Sequence, residues 1–274
     1  MSYFSLKPDF PLSLFINSVW IVENGSDVRG KEWALPSSST SVLINLSHRT
    51  STIYDKTGAT PTAHVDGAFV IGPLSEAHVV APVVGEIICG FEFVLGGAFA
   101  LFGDELQDLS SSIHELSATS VSWSEEHLDT LRQANTPEKR LEILCAQLND
   151  LLDLEHSIST TLLAGISSID ANHQIQIKHL AASLGITARR LQSVFAQGLG
   201  TSPKKYVRSR RFGWLIENIR HQSSTIDWAT LALLGGFSDQ SHLVHECHYV
   251  LGVTPSVLSR QVQLSGYPHH IAVP

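Results

Sequence analysis

Leu184-Gly-Ile-Thr187, Leu191, Phe195 and Leu199-Gly-Thr-Ser-Pro203 are answered, 51 to 52 positions later, by Gly235-Gly-Phe-Ser238, Leu243, Cys247 and Leu251-Gly-Val-Thr-Pro255. Gly185 to Pro203 is 18 positions and Gly236 to Pro255 is 19, so the copies differ by one residue in the turn. Each copy offers an alanine-containing apolar helix and then a glycine where left-handed dihedrals are needed. Ile186 or Phe237 fills the corner, and Thr187 or Ser238 starts the next helix. This is a helix-turn-helix written twice. Between the copies, Pro203 suits the first turn of a helix running to about Arg220, roughly 18 residues or ~27 Å. Such a strut holds the two second helices apart by nearly the ~34 Å between successive major-groove faces of B-DNA. One chain then reads two adjacent groove segments.

Working outward, charge separates the chain into two parts. The 274 residues carry a formal net charge of −8, which taken whole argues against a nucleic-acid partner. Residues 1–150 hold 8 Lys+Arg against 19 Asp+Glu, whereas residues 171–260 hold 10 Lys+Arg against 4 Asp+Glu, a net of +6. The basic residues cluster where the repeat needs them. Arg189 and Arg190 open the first recognition helix, and Lys204, Lys205, Arg208, Arg210 and Arg211 crowd the first two turns of the strut. Charge runs are usually solvated helix faces. Beside a duplicated helix-turn-helix, this one reads as phosphate neutralisation.

From Leu12 to about Phe102 the pattern changes to short β-rich runs between Gly and Pro: Ser18 to Glu23, Ser41 to Leu46, Ala68 to Ile71 and Ile87 to Leu95. In the last, Phe91, Phe93 and Leu95 alternate with Glu92, the period of a half-buried strand. A sandwich or small barrel is expected. Glu125 to Leu154 then shows helical recurrence at Leu141, Ile143, Leu144, Leu148, Leu151 and Leu152, interrupted near Pro137, so two helices follow. The expected fold class is α+β in two domains. Residues 1–155 form a β-rich sensing domain with trailing helices, and residues 160–263 form an all-α double helix-turn-helix. No apolar stretch reaches the ~20 residues of a spanning helix, and Met1 to Phe10 lacks the apolar core of a secretory signal. A cytoplasmic, nucleoid-associated protein without a membrane partner is expected. Three scattered cysteines, Cys89, Cys145 and Cys247, agree with a reducing compartment.

Residues Thr160 to Gln261 resemble the AraC/XylS family of transcription regulators. The resemblance rests on Ile177-Lys-His-Leu-Ala181, Gly198 to Tyr206, Arg208-Ser-Arg-Arg211, and Gly236-Phe-Ser-Asp-Gln-Ser-His242 followed by Leu-Gly-Val-Thr-Pro. It implies a seven-helix domain on promoter DNA. It also implies further partners in RNA polymerase, a small-molecule effector and a second copy of the chain forming a homodimer. Carried over position by position, the base-reading residues are Arg189, Arg190, Gln192 and Ser193 in the first recognition helix, and Asp239, Gln240, Ser241 and His245 in the second. Arg pairs bidentately with guanine and Gln with adenine, each discriminating by ~1–3 kcal/mol. The sequence departs from the family where an Arg, a Phe and a basic residue are usual. His245, Glu246, Cys247 and His248 stand there, so a phosphate-facing charge is lost and Glu246 would be repelled by the DNA backbone if it faced it. Gly213 inside the strut is also unusual and costs roughly 1 kcal/mol against Ala in a helix interior. The N-terminal half resembles the cupin-like sensor part of one AraC-type subgroup, through Leu43-Ile-Asn-Leu46, Phe69-Val-Ile-Gly-Pro73 and Gly96-Gly-Ala-Phe-Ala-Leu-Phe-Gly103. That resemblance names no ligand.

The rival reading is a cupin-like enzyme with a vestigial DNA-binding half. It needs clustered metal ligands, and His48, His64, Glu76 and His78 lack the close His-x-His spacing that sets two imidazoles on one strand face. His242, His245, Cys247 and His248 tempt a metal assignment, but the repeat puts Cys247 at the core position of Phe195, where a thiol acts as a small hydrophobe. Cys89 sits in an apolar run with no cation beside it to stabilise a thiolate. Trp20, Trp33, Phe91 and Phe93 read as core rather than as a ligand pocket, and His269 and His270 as an exposed tail. No enzymatic activity, cofactor or metal is expected.

Overall fold

The structure is a computed structural model and describes residues 2–25, 30–47, 49–121, 123–221, 226–264 and 270–274. Two antiparallel sheets come first. One has six strands in the order β1 (Ser2–Leu6), β2 (Ile16–Glu23), β9 (Ile87–Phe93), β4 (Ser41–Asn45), β7 (Ala68–Ile71) and β10 (Ile113–Glu115). The other has five, in the order β11 (His270–Ala272), β3 (Glu32–Ala34), β8 (His78–Val80), β5 (Ser51–Tyr54) and β6 (Pro61–Val65). A short helix α1 (Phe99–Phe102) precedes α2 (Glu125–Gln133) and α3 (Pro137–Leu151). Pro137 does not break a helix; it begins one, with Thr136 as N-cap accepting from the Lys139 N–H.

Alternation decides which strand face is buried. Val19, Ile21, Val42, Ile44, Val70, Cys89, Phe91 and Phe93 form one apolar face, covered by Leu128, Leu131, Leu141, Leu144 and Leu148 of α2 and α3. Phe91 and Phe93 meet edge to face at 5.4 Å, while Glu92 on the opposite face binds Asn17 and Ser39. Leu95 departs from the expected alternation. It lies beyond β9 and packs on the cluster of Leu162 and Phe195. A β-carbon on Gly90 would stand 2.4 Å from the Val42 carbonyl and 2.7 Å from the Trp20 ring, so close approach requires glycine there. At one end of the sheets, buried Glu86 accepts from Asn24, Ser51 and the Val83 N–H. Asn45 donates to the Arg49 and Val65 carbonyls.

Seven described helices follow: α4 (Thr160–Ala171), α5 (Ile177–Ser183), α6 (Ala188–Leu199), α7 (Pro203–His221), α8 (Trp228–Leu234), α9 (Gln240–Leu251) and α10 (Pro255–Leu264). The strut α7 has 19 residues and divides its apolar positions between two cores. Tyr206 and Val207 join Leu162, Ile169, Leu180, Leu191 and Phe195. Phe212, Leu215, Ile216 and Ile219 join Leu231, Leu243, Cys247, Leu251 and Leu258. The second core also takes in Trp33, Val79 and Ile271 of the five-stranded sheet. The expected exposed tail is corrected here. His270, Ile271 and Ala272 pair with Ala34, Trp33 and Glu32 in the sheet, and Ile271 is fully buried. His269 lies outside the described residues.

Candidate nucleic-acid interface

The two recognition helices are built alike. In the first turn, Gly185 has φ 68°, and in the second, Gly236 has φ 77°, both in the left-handed region. Thr187 caps α6 by accepting from the Arg190 N–H. In the second unit the start falls one residue later than the repeat suggested. Ser238 is passed over, and Asp239 caps α9 by accepting from the His242 N–H at 2.8 Å. That hydrogen bond leads the causes holding the Asp239 carboxyl below its ordinary range. Both helices end on a left-handed glycine, Gly200 and Gly252, and both are followed by a proline opening the next helix. Leu191, Phe195, Leu243 and Cys247 are fully buried at matching positions. The Cys247 thiol is pushed up to about 12 by burial.

On the outer face of α6, Arg189, Arg190 and Gln192 are exposed, and Ser193 is half-buried with its hydroxyl donating to the Arg189 carbonyl. On α9, Gln240, Ser241 and His245 are exposed. Asp239 is exposed too, but its carboxylate serves the helix's own N–H groups. His242 is held by the Ser238 N–H at its Nδ1 and rests edge-on against Phe237.

The five basic residues of the strut do not form one outward face. Lys204 is exposed and makes no ion pair or hydrogen bond among the described residues. Lys205 reaches the Ser111 hydroxyl at 3.0 Å. Arg210 pairs with Asp170 at 2.7 Å, which also accepts from the Tyr206 hydroxyl. Arg211 is half-buried and donates to the His173 carbonyl. Arg208 turns onto Glu246, with Nε 2.5 Å from Oε1 and a second nitrogen 2.9 Å from Oε2. The concern that Glu246 repels a DNA backbone is thereby removed: it is 7% exposed and ion-paired inside the domain. Burial opposes the Arg208 charge, yet its bonds to Glu246 hold the guanidinium pKa above its usual value.

A junction that the sequence reading missed joins the two units. His173 packs on Trp214 at 5.4 Å, and Gln174 donates to the Leu234 carbonyl at 2.9 Å. Burial, with Arg211 beside it, pushes the His173 pKa down. The partner of Trp214 lies 41 positions upstream and leaves no periodic signal in the sequence.

The remaining candidates do not converge. Phe91 and Phe93 belong to one core and Trp33 to another, while Trp20 lies over Gly90. Among the described residues no group of three His, Cys, Asp or Glu side chains is placed to hold a metal. Glu76 pairs with Lys56, and His64 lies beside Thr52. His48 lies outside the described residues. Among the described residues no helix is long and apolar enough to cross a membrane.

Two capped helix-turn-helix units sharing one strut define a double helix-turn-helix domain, the class of fold that presents recognition helices to duplex DNA. Residues 180–261 match the family model for a helix-turn-helix domain. No curated protein matches the chain. Among solved structures, an AraC-type transcriptional regulator from Chromobacterium violaceum is 26% identical, covers 39% of this chain and 95% of its own, and superposes with a TM-score of 0.35. ToxT from Vibrio cholerae is 10% identical over 95% of this chain and 98% of its own, with a TM-score of 0.45. ToxT bound to (E)-4-(8-methylnaphthalen-1-yl)but-3-enoic acid is 9% identical over 96% and 100%, with a TM-score of 0.46.

Proposed function

We propose that the chain is a sequence-specific transcription regulator that lays α6 and α9 into two adjacent major-groove segments of promoter DNA. The observation that carries this reading is the pairing of two recognition helices, each with a side-chain N-cap and a left-handed glycine at its end, on the single strut α7. Arg189, Arg190 and Gln192 are the base readers of the first segment, and Gln240, Ser241 and His245 those of the second. Lys204 and Lys205 meet phosphate. Lys205 is held only by one hydrogen bond to a serine hydroxyl, a small cost beside a charge-assisted contact. An effector or partner at the sheets acts by favouring one arrangement of the helices, since a ligand shifts states only through its differential affinity for them. Contacts of the N-terminal half with both units support that coupling: Lys205 touches Ser111 in the turn before β10, and Trp33 of β3 is part of the second core.

The test is binding of full-length protein to genomic fragments that it enriches, with shuffled fragments as controls, between 50 and 200 mM salt. Preference for the enriched fragments together with steep salt dependence, by ~10³-fold or more if six phosphates are neutralised, is expected. Equal binding to shuffled fragments would overturn sequence specificity, and no salt-dependent binding would overturn the whole reading.

A further inference from the structure

The C-terminal end of α9 is finished by residues from the other end of the chain. A helix leaves its last four carbonyls without internal partners, and its dipole places partial negative charge there. In α9 the His248 carbonyl accepts from the N–H of Gly252. The next two carbonyls are taken by the sheets. Tyr249 accepts from Lys56 Nζ at 2.6 Å, and Val250 from the Ala77 N–H at 2.9 Å. Lys56 lies in the turn between β5 and β6, and Ala77 immediately precedes β8. Glu76 anchors the same ammonium at 2.5 Å. The Tyr249 ring is gripped on its own account, with the Arg208 guanidinium 3.5 Å and the Lys56 nitrogen 5.2 Å from its centroid.

Three elements therefore meet on one turn of one helix: the sheets through Lys56, the strut through Arg208, and α9 through Tyr249 and Glu246. We infer that Lys56 and Arg208 are positioning residues that fix the second recognition helix, Lys56 as its C-terminal cap and Arg208 as its tie to the strut. Arg208 then acts on DNA only through the placement of α9 and is not a phosphate ligand. The geometry favours this because Nε and one terminal nitrogen are committed to a buried carboxylate while the flat face of the guanidinium lies on the tyrosine ring. The inference rests on the DNA reading for what α9 does, but the clamp can be tested without DNA.

Hydrogen exchange on DNA-free, full-length protein is the first arm. Lys56→Met keeps the apolar stem and removes the charge, leaving a partner, Glu76, that is open to solvent. Exchange over residues 246–252 is expected to speed up about tenfold in Lys56→Met and in Arg208→Gln, with 188–199 in α6 unchanged. Unchanged exchange in α9, or equal acceleration in α6, would overturn the clamp. The second arm uses the best enriched genomic fragment and versions with either element shuffled. Arg208→Gln should lose affinity about tenfold on the intact fragment, lose nothing where the α9 element is already shuffled, and keep the salt slope. Arg208→Lys should not rescue, because an ammonium cannot bridge both carboxylate oxygens while stacking on the ring. A slope reduced by about 1 with equal loss on every fragment would make Arg208 a phosphate contact and overturn the assignment. Wild-type protein that ignores both elements would sink the DNA reading instead, and the exchange arm alone would then decide the clamp.

Discussion

At the scale of single residues, the two kinds of contact proposed for the DNA face separate in their consequences. Arg189→Ala should relax base preference at one position by ~1–3 kcal/mol. Lys205→Ala should weaken all sequences alike and lower the salt slope by about 1. Titrations of point-substituted fragments check both, and a uniform loss from Arg189→Ala would contradict its role. Gly213 is exposed in the interior of α7, and a β-carbon there meets nothing within 4 Å. Gly213→Ala should therefore raise stability by about 1 kcal/mol in denaturant unfolding, and a loss would show that the site is constrained. Cys89 and Cys247 are buried with thiols pushed up to about 12. Both should resist alkylation in native protein at pH 8 and react once it is unfolded; labelling of either in the native state would refute that burial. Much at this scale was legible. Cys247 could be assigned to the core because the repeat aligned it with Phe195. Glu246 was legible only as a liability, since its partner Arg208 lies 38 residues upstream and adjacency in sequence carries no trace of it.

At the scale of elements, the two units differ in what caps them. Thr187 caps α6, whereas Asp227 and Asp239 cap α8 and α9. A side-chain hydrogen bond from Thr230 leads the causes lowering Asp227, and the His242 N–H leads those lowering Asp239. A carboxyl lowered on folding adds stability above its unfolded pKa and loses it as pH falls through the folded value. Amide protection relative to the intrinsic exchange rate should therefore fall in α8 and α9 on acidification below about pH 4 while α6 holds. Asp239→Asn, which keeps an acceptor, should weaken the dependence at α9, the carboxylates of Glu246 and Glu76 supplying the rest. Parallel loss in α6 and α9 would contradict it. The helices were readable because each repeats a spacing over a dozen residues and closes on glycine and proline. The sheets were readable only in part. β2, β4, β7 and β9 run over four to eight residues, but β3, β8, β10 and β11 span three residues each. Three residues are too few to carry a period, and pairing partners decide them.

At the scale of the molecule, the second helix-turn-helix is not a self-contained bundle. Its core includes Trp33, Val79 and Ile271, and Trp33 is 1% exposed with its ring N–H donating to the Lys56 carbonyl at 2.7 Å. Trp33→Ala should cost roughly 3–5 kcal/mol. It should also loosen α9 and α10 before α5 and α6, as followed by exchange at intermediate denaturant; equal loosening of both units would argue against a shared core. The sequence could not show this sharing, because an apolar residue announces that it is buried and not against what. The charge division between acidic sheets and basic helices was legible, and so was the repeat, and these two features carry the functional reading. Its central claim is that α6 and α9 read neighbouring grooves from one strut. Selection from random-sequence duplex DNA with the full-length chain, followed by footprinting of the winners, tests it most directly. Two protected elements centred about 10–10.5 base pairs apart on one face are the expected result, and a single element, or two at variable spacing, would contradict it.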